Sequence, residues 1–248
     1  VLQEDRQVNK QGQQNSAVSH EKTVGPQVYQ LVRARIIQGD IAPGTRLSEA
    51  EISKAMNVSR QPVREAFIKL RDEGLVEVRP QRGTFVTKIL IGAVSDARFM
   101  REAIEADIVK LLAEDASLGL VPELRVQIQL QRKLGQAELT KFMELDDQFH
   151  RSLAEFAGKA NAWKVIAGMK AHFDRVRYLG RVPKNLQRLV DQHEAVVDAI
   201  EKRDRVAAEA AMRFHLQEVL RDLPKVVAED PEKFAYPALS RNVDPEAL

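Results

Sequence analysis

The sequence predicts a mainly α-helical chain in two parts, an N-terminal winged helix-turn-helix followed by an all-α helical bundle. Three observations carry this expectation. Within residues 25–90, helical segments separated by a three-residue break are followed by a β-rich hairpin. From Val94 to about Val227, apolar residues recur at helical spacing with almost no strand pattern. Aromatic residues make up only 5% of the chain, and Ala, Leu, Val, Glu, Arg and Lys dominate, a bias toward helix.

The elements follow in order. Residues 1–24 open with a polar, Gln-rich stretch (Gln3, Gln7, Gln11, Gln13, Gln14) expected to be a disordered tail. Val28, Leu31, Val32 and Ile36 form the apolar stripe of a first helix ending near Gly39. Asp40 to Gly44 has turn composition. Ser48 and Glu51 have the form of a capping box, which starts a short helix from Glu49 to about Met56. Asn57-Val58-Ser59 breaks it. Ser59 then caps a second helix that tolerates Pro62 in its first turn and stops at Gly74. Leu75 to Lys88 reads as a hairpin, with Val76 and Val78 alternating, a turn at Pro80-Gln81-Arg82-Gly83, and a return through Thr84-Phe85-Val86. Ile89 to Ala93, containing Gly92, is the expected linker. Helices are then expected at 94–115, 121–135, 138–157, 161–179, 185–202 and 204–226. Their breaks fall at Gly119, Pro122, Gly158, Pro183 and Pro224. Loop lengths suit an antiparallel bundle over 94–227, and 228–248, rich in proline, is expected to be an irregular tail.

Charge is unevenly spread. The net charge is only +2, but residues 25–90 carry 11 Lys/Arg against 7 Asp/Glu, while residues 91–248 carry 24 against 26. The basic excess sits where phosphate would be met. The absence of cysteine excludes disulfides and thiolate chemistry. No apolar run has the length of a membrane span, and the opening residues carry no apolar signal-peptide core, so no membrane partner and a cytoplasmic location are expected.

Two constellations carry chemistry. In the helix after Ser59, Val63, Phe67 and Leu70 supply a packing face. Arg60, Gln61 and Arg64 lie elsewhere, at the end that meets base edges in helix-turn-helix proteins. Arginine can bond guanine bidentately and glutamine can do so to adenine. Arg82 beside Gly83, at the hairpin tip, suits a minor groove or a phosphate. The alternative reading is a solvated basic helix in a structural domain. The second constellation is Asp146 and His150, spaced i, i+4 on one helical face, with His193 and His215 on later helices among apolar neighbours. A carboxylate and three imidazoles suit Zn²⁺, Ni²⁺, Mn²⁺ or Fe²⁺, with zinc expected in purified protein. On spacing alone, two readings stand side by side: metal ligands, or polar histidines packed in a bundle.

Several stretches resemble the GntR family of bacterial regulators. They are Pro43-Gly44-Thr45-Arg46-Leu47-Ser48-Glu49, Val58-Ser59-Arg60-Gln61-Pro62-Val63-Arg64-Glu65-Ala66, Leu70-Arg71-Asp72-Glu73-Gly74-Leu75-Val76 and Arg82-Gly83-Thr84-Phe85-Val86. The resemblance implies contacts with double-stranded operator DNA by Ser59, Arg60, Gln61, Arg64, Arg82 and Gly83. Some members use an arginine early in the preceding helix; this chain has Ala50 there, and Arg46 is the candidate substitute. Residues 94–226 resemble the FCD ligand-binding domain, and hence the FadR subfamily, at Arg101-Glu102-Ala103-Ile104-Glu105, Asp146 with His150, Val190-Asp191-Gln192-His193-Glu194-Ala195-Val196 and Ala210-Ala211-Met212-Arg213-Phe214-His215-Leu216. That resemblance implies a divalent ion on Asp146, His150, His193 and His215, and an Arg101 that faces an effector cavity.

An arginine above a metal forms a carboxylate clamp, so the expected effector is a small organic or sugar acid. A surface ion pair with Glu105 is the competing reading of Arg101. His172, Arg175 and Arg177 line either that cavity or a solvated face. Trp163, Phe149 and Phe156 are expected in the core. Together these readings describe a bacterial homodimer on an inverted repeat, a ligand-responsive repressor and not an enzyme. Two competing functions remain in view: a metal-dependent hydrolase-like enzyme, and a regulator whose helical domain only dimerises.

Overall fold

In the computed structural model, residues 23–114, 119–179 and 186–236 are described. The chain is mainly helical and divides into two compact units. The first comprises residues 23–36 and 40–87, and the second comprises residues 37–39 and 88–236. The expected tail at 1–22, the break at Pro183 and residues 237–248 lie outside the described residues.

The first unit is built on α1 (Val24–Gln38), α2 (Glu49–Met56) and α3 (Arg60–Asp72). Ser48 is the N-cap of α2, and its Oγ accepts from the Glu51 N–H at 3.3 Å. Asn57 ends α2 in the left-handed region, which asparagine tolerates. Ser59 holds the N-cap position of α3, but its side chain makes no capping bond, contrary to the expectation. Val63, Ala66, Phe67 and Leu70 form the buried face of α3. The helix closes in a Schellman motif. Gly74, at φ +71°, donates to Arg71 O, and Leu75 donates to Leu70 O at 2.9 Å. The buried Leu75 then starts the hairpin of β2 (Val76–Arg79) and β3 (Gly83–Val86). A two-residue β1 (Arg46–Leu47) also pairs with β3, giving the antiparallel order β1-β3-β2. Nothing in so short a strand announces itself by periodicity.

The second unit contains α4 (Ile91–Glu114), α5 (Leu120–Arg132), α6 (Leu139–Phe156), α7 (Ala160–Met169), α8 (Ala171–Leu179), α9 (Leu186–Glu201) and α10 (Arg205–Glu229). Three boundaries differ from expectation. The supposed linker at Ile89–Ala93 is instead a strand, β4 (Ile89–Leu90), followed directly by the first turn of α4. The helix expected over 161–179 is interrupted at Lys170, whose amine is buried between Asp174 at 2.6 Å and Asp147 at 2.9 Å. Gly168, two residues before the interruption, is a local sign that the sequence reading passed over. Pro224 does not end α10, which runs on to Glu229. Pro122 likewise falls in the first turn of α5, where no intrahelical donor is lost. After α10, β5 (Phe234–Ala235) pairs in parallel with β4.

The main core of this unit unites α4, α5, α6, α9 and α10 through Leu112, Ile128, Phe142, Phe149, Val197 and Met212 and their neighbours. No helix among the described residues is long and apolar enough to cross a membrane.

Candidate metal centre and nucleic-acid interface

The apolar stripes that build the bundle also carry its polar centre. In α6, Asp146 and His150 lie one turn apart on the face that buries Phe142, Phe149 and Leu153. In α9, His193 shares a face with Leu189, Val196 and Ile200, and in α10 His215 lies one turn from Met212. All four are buried, and their ligand atoms lie within 4.8 Å of one another. His150 Nε2 is 3.1 Å from His215 Nε2, which is 3.3 Å from His193 Nε2. Asp146 Oδ1 stands 3.6 Å from His193 Nε2 and has no hydrogen-bond partner.

The surroundings fix which nitrogen of each ring faces the centre. Gln131 donates from Nε2 to Leu145 O, so its Oε1 accepts from His193 Nδ1 at 2.7 Å. Gln192 donates from Nε2 to Glu218, so its Oε1 accepts from His215 Nδ1 at 3.0 Å. His150 Nδ1 stands 2.5 Å from Glu105 Oε2, a close contact short of straight hydrogen-bond geometry. With the Nδ1 protons of His193 and His215 directed outward, their Nε2 lone pairs converge with His150 Nε2. Burial drives His193 down to about 3 and His215 well below the ordinary imidazole range. Burial pushes the Asp146 carboxyl up, but the Arg177 guanidinium, 2.8 Å from Oδ2, and the nearby His150 and His193 outweigh it and hold the group well below the usual carboxylate range.

Burial disfavours charge on His193 and His215, and their Nε2 atoms stand beside His150 Nε2 and a carboxylate oxygen without a donor, a set that a shared cation would join. Ligands about 2.0–2.1 Å from a shared zinc ion stand roughly 3–3.4 Å apart, close to the nitrogen spacings here. The residues therefore suit a divalent ion held by Asp146 Oδ1 and three imidazole Nε2 atoms.

Arg101 does pair with Glu105, at 2.6 Å, but the pair is buried rather than on the surface. Burial pushes Glu105 upward, yet Arg101 and His150 prevail and bring it down to about 2. The Arg101 guanidinium lies over the Phe173 ring at 5.1 Å. Its Nε bonds Glu105, and its two terminal nitrogens make no hydrogen bond to the described residues. Arg177, His172 and Arg175 are buried on α8 rather than on a solvated face. Trp163 is a core residue, its ring parallel to His150 at 6.4 Å, and Phe149 stacks on His193 at 4.2 Å.

Sequence reasoning missed the roles of Glu105, Gln131 and Gln192. The available signal was polarity at positions of apolar stripes, such as Gln131 after Leu124 and Ile128.

In the first unit, Ser59, Arg60, Gln61 and Arg64 are exposed at the start of α3. Arg64 meets Glu49 at 3.3 and 3.4 Å, and Gln61 donates to Glu65 at 3.0 Å. Arg82 is exposed at the hairpin tip. Arg46 on β1 lies against Gly83, where a Cβ would stand 3.0 Å from Arg46 Nε. Gly83 has φ +108°. Gly83→Ala should therefore cost about 1–3 kcal/mol of backbone strain and displace Arg46. The expected readout is weaker operator binding together with a lower melting temperature of the first unit. Unchanged values would remove Gly83 and Arg46 from the interface.

Comparison with known proteins yields two family profiles. Residues 25–86 match "Bacterial regulatory proteins, gntR family", and residues 96–218 match "FCD domain". The chain is 41% identical over 217 residues to the HTH-type transcriptional repressor RspR of Escherichia coli K12, covering 86% of this chain and 94% of that protein. It is 38% identical over 213 residues to an uncharacterized HTH-type transcriptional regulator in an unstable DNA locus of Streptomyces ambofaciens, covering 85% and 89%. Among solved structures, E. coli McbR/YncC shares the fold at TM-score 0.67 and 15% identity, covering 84% of this chain and 99% of that one. A putative transcriptional regulator GntR from Rhodococcus sp. RHA1 does so at TM-score 0.62 and 23% identity, covering 82% and 97%.

Proposed function

This chain belongs to the GntR family of bacterial regulatory proteins and carries an FCD domain, and we propose that it is a metal-dependent, organic-acid-responsive repressor of the FadR subfamily. That it is a transcriptional regulator and not an enzyme follows from the family. Repression is the activity named for the E. coli relative at 41% identity, and it is carried over as part of the proposal. The protein acts in the cytoplasm as a homodimer on an inverted repeat. A two-fold arrangement doubles the small contact area of one winged helix and selects a palindrome.

The observation that carries the ligand-responsive reading is the convergence of three imidazole Nε2 atoms and Asp146 Oδ1 in the core. A domain that served only to dimerise would have no use for four converging, buried ligand atoms at its centre. When bound, the ion supplies a Lewis-acid anchor for one end of a carboxylate. Arg177 keeps Asp146 charged and leaves Oδ1 facing inward. Glu105, Gln131 and Gln192 orient the rings. Arg101 offers its terminal guanidinium nitrogens to the effector's other carboxylate or hydroxyl oxygens.

A thermal-shift screen of small organic and sugar acids against zinc-loaded protein tests this, because a ligand of the folded state raises the melting temperature. The informative variant is Arg101→Lys, which keeps a cation beside the buried Glu105 but loses the two-pronged fork. It should retain metal and operator binding, and its affinity for the acid found in the screen should fall by about ten-fold or more, the loss of one charge-assisted contact. An Arg101→Lys protein that binds the acid as wild type does contradicts the clamp.

A further inference from the structure

We infer that the C-terminal segment is a clasp that fixes the start of α4 and the strand before it, and so sets where the chain leaves the second unit toward the DNA-binding unit. Residues 87–95 lie between the two family segments, and β5 lies beyond both, so neither profile accounts for their pairing. Ile89 aligns with Phe234 and Leu90 with Ala235 in a parallel ladder. Two residues of parallel sheet cannot persist by themselves. Here they are held from beneath. Phe234 is buried in a separate small core with Ile89, Val94, Phe173, Val176 and Val226. From the side, the Leu90 N–H donates to His172 Nδ1 at 3.3 Å.

The same helix, α8, connects this strand to the polar centre. His172 accepts from Leu90, Phe173 lies both beneath Arg101 and in the Phe234 cluster, and Arg177 holds Asp146. The clasp thus ties the departing strand to an element that also touches the proposed effector site. Without Phe234, β4 would lose its ladder partner and its apolar floor. The residues around Lys88 would gain conformational freedom, and operator binding would become less sensitive to half-site spacing.

Lys88 immediately precedes β4 and supplies a tryptic site there. Cleavage needs the flanking backbone to leave its pairing, so its rate reports how often the clasp opens. In the full-length protein, Phe234→Ser should raise cleavage after Lys88 by about ten-fold or more, whereas Phe234→Leu should stay near wild type. The second readout rests on the operator-binding reading. On inverted repeats whose half-site spacing is changed by one base pair, wild type should lose about ten-fold in affinity, and Phe234→Ser about three-fold or less.

Unchanged cleavage in a folded Phe234→Ser protein overturns the clasp. Faster cleavage with wild-type spacing preference overturns any effect of the clasp on operator choice. Should Phe234→Ser lose its helical signal, hydrogen exchange on wild type decides. Amides of Ile89 and Leu90 protected like those of α8 support the clasp, and exchange as fast as at Thr23 overturns it. If wild type binds no operator at all, the functional reading fails, while the cleavage result still judges the clasp.

Discussion

Removing metal with a chelator should lower the melting temperature of the purified protein by roughly 10 °C, and adding Zn²⁺ should restore it. The reasoning is linkage. An ion present at about a thousand times its Kd stabilises the folded state by about 4 kcal/mol. In a unit of this size, each kcal/mol moves the midpoint by about 2–4 °C. The metal-free centre adds to the effect, because it gathers buried acceptors with no cation between them. A His193→Ala/His215→Ala double variant should melt lower than wild type, since it strands the Gln131 and Gln192 amides in the core. Its distinguishing property is that zinc no longer changes the midpoint. Stoichiometric metal in that variant by elemental analysis would rule out the assigned ligands.

On the DNA side, Arg60→Ala and Arg64→Ala should each weaken operator binding by about 1–3 kcal/mol, roughly 5- to 150-fold, with a smaller effect on random DNA. Both side chains stand exposed at the N-terminal end of α3. Arg64 starts from a pair with Glu49 that must loosen if the guanidinium is to reach a base. An exposed pair of this kind contributes only about 0–1 kcal/mol, so its loss offsets little of the gain. Fluorescence anisotropy at one fixed salt concentration separates the cases, since salt alone changes such affinities strongly. Wild-type affinity and specificity in both variants would remove α3 from the role of reading helix.

Much of the architecture was legible because local rules and tertiary structure agree. Ser48 caps α2 as its sequence position promises, Gly74 closes α3 in the left-handed conformation, and Val63, Phe67 and Leu70 face inward. The features that escaped are those set by distant partners. β1 exists because Arg46 and Leu47 pair with β3. β4 exists through β5, 145 residues away in the register Ile89 to Phe234.

The polar centre divides in the same way. Asp146 and His150 reveal themselves by helical spacing, and His193 and His215 by their apolar neighbours, but spacing alone favoured a structural role. What favours an ion is the partner set of Gln131, Gln192, Glu105 and Arg177, which turns each ring and leaves one carboxylate oxygen bare. Glu105, Gln131 and Arg177 come from three other helices, and only Gln192 stands next to one of the histidines in sequence.

The account stands most directly on where an ion sits. Crystals of the zinc-loaded protein, measured on both sides of the zinc absorption edge, provide the test. The account predicts one anomalous peak per chain, about 2.0–2.2 Å from Asp146 Oδ1 and from Nε2 of His150, His193 and His215. A zinc-loaded crystal with no peak at that point, or with its peak on other residues, would contradict it.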